Sequence, residues 1–186
     1  MKVCIGISNR HVHLSHEDYK LLFQDKKMEI RNPLKQPGQF ASNLTVSISG
    51  PKGILENVRI LGPCRSYTQV EVSKTDSYKL GITPPVLDSG VLSNASLLTI
   101  IGPFGQIERN CGIIATRHIH VNDTIRKQYH LENVKEVKLK IKGEKSGLLE
   151  NVYLKDSKEA FFEVHLDTDD ANAFLLKNEE EVEIIL

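Results

Sequence analysis

Ser8-Asn9-Arg10-His11-Val12-His13-Leu14-Ser15 and Ala115-Thr116-Arg117-His118-Ile119-His120-Val121-Asn122 carry one pattern twice in a single chain: a basic residue, a His, a β-branched residue and a second His. In an extended backbone residues two apart share a face, so both imidazoles of each pair leave the same side. Two nitrogens converging in this way suit zinc and other first-row metals, and two pairs predict two metals. A lone pair on a half-exposed strand reads as readily as polar surface. Repetition with matching flanks, Arg before and a helix-capping residue after, points to function.

The chain on either side of these stretches is also duplicated. Residues 3–14 read as a strand, followed by Ser15-His16-Glu17-Asp18, where Ser15 caps a short helix whose apolar face is Tyr19, Leu22 and Phe23. His16 is an exposed polar residue of its first turn. Pro33, Pro37 and Gly38 mark a loop over 32–39. Residues 44–49 alternate, Gly50-Pro51-Lys52-Gly53 turns and 55–61 return, which makes a hairpin. A strand at 68–73 leads to a helix capped at Thr75 or Asp76 and closed by Gly81, and 96–101 and 112–121 read as further strands.

The second half echoes this order. Residues 137–143 repeat the strand ending at Gly50, and 147–152 repeat 53–58. Phe162-Glu163-Val164-His165 aligns with Val70-Glu71-Val72-Ser73, and Asp167-Thr168-Asp169-Asp170 with the Thr75-Asp76 turn. Repeats of roughly 90 to 100 residues indicate two related domains rather than a solenoid. Short strands, frequent turns and brief helices predict a mainly β chain: two small β-barrels or sandwiches capped by short helices, with cores of Ile, Val and Leu.

The 186 residues include 24 basic and 24 acidic side chains, so zero net charge argues against nucleic acid or an anionic membrane as partner. No apolar run is long enough to span a bilayer. Residues 1–6 enter a strand pattern at once, unlike a signal sequence, and a cytoplasmic location is expected. Cys4, Cys64 and Cys111 are odd in number and scattered, which predicts reduced thiols rather than a disulfide or zinc-ribbon framework.

The halves differ where chemistry is expected. The second half has His165 on its late strand where the first has Ser73, with the carboxylate of Glu71 two residues earlier on the same face. The candidate triads are therefore His11, His13 and Glu71, and His118, His120 and His165. Three protein ligands and one open position are what catalytic zinc uses, and no Cys is spaced to close a structural shell. Arg65, after Gly62-Pro63-Cys64, can bind phosphate or carboxylate bidentately. Arg10 and Arg117 point to the opposite strand face, for structural or partner contacts. Metals with an arginine fit an anionic oxygen nucleophile meeting a carbonyl.

The HxH stretches, Leu61-Gly62-Pro63-Cys64-Arg65-Ser66-Tyr67-Thr68-Gln69-Val70-Glu71-Val72 and His165-Leu166-Asp167-Thr168-Asp169-Asp170-Ala171-Asn172-Ala173 together resemble the PduL-type phosphotransacylases, the phosphate propanoyltransferase family, nearly end to end. The resemblance implies a dinuclear zinc enzyme that interconverts acyl-CoA plus phosphate with acyl phosphate plus CoA. It implies two β-barrels with a swapped N-terminal strand, one made of residues 1–9 and 118–186 and the other of 10–117. It implies two Zn2+ per chain held by the six ligands named above, phosphate bound by Arg65, and coenzyme A as substrate or product, contacted by Ser8 and Asn172. Its expected partners are small molecules, with a homodimer or higher oligomer.

Two stretches depart from the family pattern. Pro85-Val86-Leu87 stands where members often carry Pro-Val-Arg, and Leu92-Ser93-Asn94-Ala95-Ser96 replaces a Gly-rich segment; both bear on acyl preference. A first strand beginning almost at Met1 favours a free enzyme over one targeted to a microcompartment lumen. Rival readings are a cupin-like metal enzyme, whose Glu would follow the HxH closely, and a non-enzymatic zinc-stabilised binding module. An amidohydrolase needs a (β/α)8 barrel of about 250 residues, which this strand-rich chain is too short to form.

Overall fold

The computed structural model describes all residues, Met1–Leu186. The chain divides into two compact units: Met1–Asn9 with Thr116–Leu186, and Arg10–Ala115. In the first, β1 (Lys2–Ser8), β10 (His118–Val121), β11 (Glu136–Ile141), β12 (Gly147–Asp156), β13 (Glu163–Asp167) and β14 (Glu181–Ile185) close a barrel in the order β1-β13-β10-β12-β11-β14. In the second, β2 (His11–His13), β4 (Phe40–Ser49), β5 (Ile54–Gly62), β6 (Gln69–Glu71), β8 (Ser96–Ile101) and β9 (Gln106–Ala115) close a ring, because β8 pairs with both β4 and β9. β3 (Ile30–Pro33) extends it beside β4, and β7 (Val86–Leu87) beside β9. Four short helices complete the chain: α1 (His16–Phe23), α2 (Lys74–Leu80), α3 (Asp123–Gln128) and α4 (Thr168–Ala173). The chain is thus mainly β, with two closed six-stranded barrels.

The pairings in the two rings correspond strand for strand. β2 runs parallel to β5 and antiparallel to β6, as β10 does to β12 and β13. β6 runs parallel to β9, as β13 does to β1. The strand before each HxH stretch therefore closes the barrel of the other half. Residues 3–14 and 112–121, each expected as one strand, are each two strands in different sheets, broken at Asn9-Arg10 and Thr116-Arg117. At the first break the apolar phase shifts from odd positions, Val3, Ile5 and Ile7, to even ones, Val12 and Leu14, whereas Ile113, Ile119 and Val121 keep one phase across the second. Arg10 and Arg117 are intrachain clamps: Arg10 Nη2 lies 2.7 Å from Asp76 Oδ1, and Arg117 Nη2 lies 2.7 Å from Asp170 Oδ1.

Register corrects the internal alignment by two residues. His11 stands opposite Glu71 and His118 opposite His165, so His165 corresponds to Glu71, not to Ser73. Glu163 then corresponds to Gln69, and Asp167 to Ser73. A shift of two preserves every facing in a strand, so the polar–apolar pattern fits both alignments. The caps agree with the corrected register: Ser73 caps α2 in a capping box with Asp76, and Asp167 caps α4. Neither Thr75 nor Asp76 is the cap residue itself. Gly81 ends α2 at φ 74°, the left-handed conformation a side chain disfavours.

Each barrel has its own aliphatic core, Ile5, Ile119, Leu139, Val152 and Val164 in one and Val12, Ile48, Ile60, Val70 and Ile100 in the other. The middle residue of each HxH, Val12 or Ile119, is fully buried in that core. Its flanking histidines therefore lie on the other strand face. Replacing Ile119 by Ala should cost about 3 kcal/mol by opening a cavity beneath both β10 histidines, read as a lower urea midpoint.

All three cysteines are free, and Cys111 is buried. Burial first, then the Asp18 carboxylate, pushes its thiol up to about 12 from 9.0. A folded-state pKa above the unfolded value means that stability is intact below about 9 and is lost as pH rises towards about 12. Cys111→Ser should flatten the alkaline limb of the unfolding midpoint against pH.

Candidate metal centre

The register places three donors together in each barrel. In the Arg10–Ala115 unit these are His11, His13 and Glu71; in the other they are His118, His120 and His165. Within each triad the candidate ligand atoms lie within 4.8 Å of one another. The four histidines of the HxH strands are at most 8% exposed although they face away from their barrel cores. His118, His120 and His165 contact one another edge to face, with ring centroids 4.8–5.0 Å apart.

Hydrogen bonds set the orientation of the rings. His118 Nδ1 donates to the Thr116 carbonyl at 2.8 Å, which puts the ring's lone pair on Nε2. His120 Nδ1 pairs with Ser157 Oγ at 3.1 Å. His165 uses Nε2, donating to Glu163 Oε2 at 3.1 Å, which puts its lone pair on Nδ1. In the other triad His11 Nε2 lies 3.4 Å from Glu71 Oε2, and Gln69 Nε2 donates to Glu71 Oε1 at 2.7 Å.

His13 supplies the test of fit. Its Nδ1 is shielded from solvent and has no hydrogen-bond partner, a costly arrangement for a polar atom unless a ligand satisfies it. Burial above all, then the neighbouring His11 imidazole and the Arg65 guanidinium, holds its pKa well below 6.5. It is therefore a neutral imidazole, the form that binds metal. Two imidazoles with a carboxylate, or three imidazoles, suit a first-row divalent cation with one position left open. The residues fit the group.

Arg65 belongs to the His11 barrel. Its backbone N–H donates to Leu14 O at 2.9 Å, directly after the HxH strand. Its Nη1 donates to Tyr67 Oη at 2.9 Å and Ser89 Oγ at 3.1 Å. No carboxylate pairs with it, and its Nε and Nη2 edge donates to nothing in the chain. A half-buried guanidinium held by two hydroxyls presents that edge to an anion.

Ser8 and Asn172 are both in the barrel of His118. Ser8 ends β1 in register with Asp167, and Asn172 is exposed on α4. Neither is a member of a triad. His16 is exposed in the first turn of α1. Cys64 is half-buried, and burial raises its pKa, so it is not an activated thiolate. Sequence reasoning missed Gln69, Glu163, Tyr67 and Ser89. Gln69 and Glu163 lie two residues from Glu71 and His165 on the same strand face, a spacing that marks the positions without showing what they bond to; Tyr67 and Ser89, outside the regular strands, left no such signal.

No helix is long and apolar enough to cross a membrane. A family model described as phosphate propanoyltransferase matches residues 4–177. Among curated relatives, a phosphate propanoyltransferase of Rhodopseudomonas palustris is 44% identical over 185 residues, covering 98% of this chain and 82% of the relative. That of Thermotoga maritima is 42% identical over 186 residues, covering 98% and 89%. That of Priestia megaterium is 46% identical over 176 residues, covering 94% and 81%. With the family model and these relatives spanning nearly its whole length, the chain belongs to the phosphate propanoyltransferase family.

Proposed function

We propose that this chain is a phosphate acyltransferase that interconverts acetyl- or propanoyl-CoA plus phosphate with the acyl phosphate plus CoA, with two zinc ions held by His11, His13 and Glu71 and by His118, His120 and His165. The observation that carries this reading is the repeated triad, one in each of two equivalent barrels, with the open guanidinium edge of Arg65 tied to the end of one of them. When bound, the cations supply Lewis-acid polarisation of the thioester carbonyl and charge stabilisation for the departing thiolate.

The chain's own groups bind and orient. Arg65 holds phosphate through Nε and Nη2, while Tyr67 and Ser89 fix its other nitrogen and so limit its rotamers. A phosphate oxygen attacks the carbonyl carbon, the C–S bond breaks, and the proton of hydrogen phosphate ends on the CoA thiol. Transfer is direct, because Cys64 is held as a thiol and no other activated nucleophile adjoins Arg65. Ser8 and Asn172 are assigned to CoA.

The test is to incubate the protein with acetyl-CoA or propanoyl-CoA and phosphate and to follow free thiol. Phosphate-dependent CoA release that chelation stops and zinc restores is the expected result. Release unaffected by complete metal removal, or a trapped acyl-enzyme, would refute the mechanism.

A further inference from the structure

In each barrel a buried polar residue stands two places before the third member of the triad, on the same strand face, and bonds to it. We propose that these two, Gln69 and Glu163, are paired positioning residues that orient the third metal ligand, Gln69 for Glu71 and Glu163 for His165, and give each cation one carboxyl group. This rests on the reading that the triads hold cations.

Gln69 is fully buried, and its amide is fixed at both ends. The Gly90 N–H donates to Oε1 at 2.8 Å, which turns the NH2 group towards Glu71 Oε1 at 2.7 Å and Ser89 Oγ at 2.8 Å. Glu71 thereby has one oxygen engaged, and its Oε2 is the oxygen nearest His11. The same Ser89 hydroxyl accepts from Arg65, so one oxygen joins the anion-binding side chain to the support of a metal ligand.

Glu163 is 6% exposed. It accepts the His165 Nε2 proton, which selects the tautomer that binds through Nδ1 and makes that nitrogen a stronger donor. Room for its carboxylate comes from Gly6, the one glycine of β1, which stands opposite His165. A Cβ at Gly6 would lie 2.7 Å from Glu163 Oε2.

The two nests thus reach the same carboxyl count by different routes. Around His11 and His13 the carboxylate is itself a ligand and its support is a neutral amide. Around His118 and His120 the third ligand is an imidazole and the carboxylate lies one hydrogen bond behind it.

The experiment titrates Co2+ into metal-free protein against a competing chelator and reads the visible d–d bands. The wild type is compared with Glu163→Gln, Gly6→Ala and Gln69→Ala, and sites are assigned in His13→Ala and His120→Ala, each of which keeps one triad. Glu163→Gln should weaken the His118 site about 10- to 100-fold and shift its band, with the His11 site unchanged. Gly6→Ala, which removes no ionisable group but displaces the carboxylate, should reproduce that loss at the same site. Gln69→Ala should weaken only the His11 site. Two unchanged Co2+ affinities in all three variants would overturn the positioning roles while leaving the metal reading intact. A wild type that takes up no Co2+ would overturn both, and loss of both sites together with the far-UV signal in every variant would mean a merely structural role.

Discussion

His118→Ala is expected to lower the rate of phosphate-dependent CoA release by about a thousandfold, with the far-UV spectrum retained. The His118 ring lies about 5 Å from both partner rings, so its removal leaves the proposed cation two donors in place of three. The fold should survive because the residue below it, Ile119, and the rest of that barrel's aliphatic core are untouched. Chelation should behave in the same way, abolishing turnover while shifting the thermal midpoint by only a few degrees. Steady-state thiol release beside circular dichroism checks both. A variant that unfolds when metal is removed would instead mark a zinc-stabilised binding module.

Arg65→Ala should raise the KM for phosphate about 100-fold and leave the KM for acyl-CoA nearly unchanged. Two charge-assisted hydrogen bonds are worth roughly 3 kcal/mol together, and 1.4 kcal/mol is tenfold. Arg65→Lys keeps the charge but loses the planar fork and should recover about tenfold of the loss. Initial rates over a phosphate series at saturating acyl-CoA distinguish the two. Equal damage to both KM values would mean that the side chain orders the loop at Ser89 rather than binding the anion.

The triads were legible because a strand's period of two makes His-x-His a statement about geometry as well as composition. Their third members were legible as residue types, Glu71 and His165, yet their equivalence was misread by two positions. Alternation repeats every second residue, and only the pairing of His11 with Glu71 and of His118 with His165 resolves it. The break at Asn9-Arg10 did leave a signal, the shift of the apolar phase from Val3, Ile5 and Ile7 to Val12 and Leu14, which a single strand over 3–14 does not accommodate; at Thr116-Arg117 the phase is unbroken, and a strand's pattern says nothing about which neighbour it joins. Gln69 and Glu163 look like ordinary polar positions of half-buried strands; that they are buried and bonded to the third donor depends on tertiary packing.

The exchange of β1 and β9 has a consequence for how the chain could be rewired. β1 runs antiparallel to β14, with Lys2 opposite Glu183 and the Ile184 N–H bonded to the Met1 carbonyl at 2.8 Å, so the two chain ends lie side by side. A short turn joining Leu186 to Met1, with new ends opened between Asn9 and Arg10, would make each barrel one uninterrupted stretch of polypeptide. The discontinuity of the first unit is thus a matter of where the polypeptide is cut, and a circular permutant would have the same strand pairings with each barrel encoded separately.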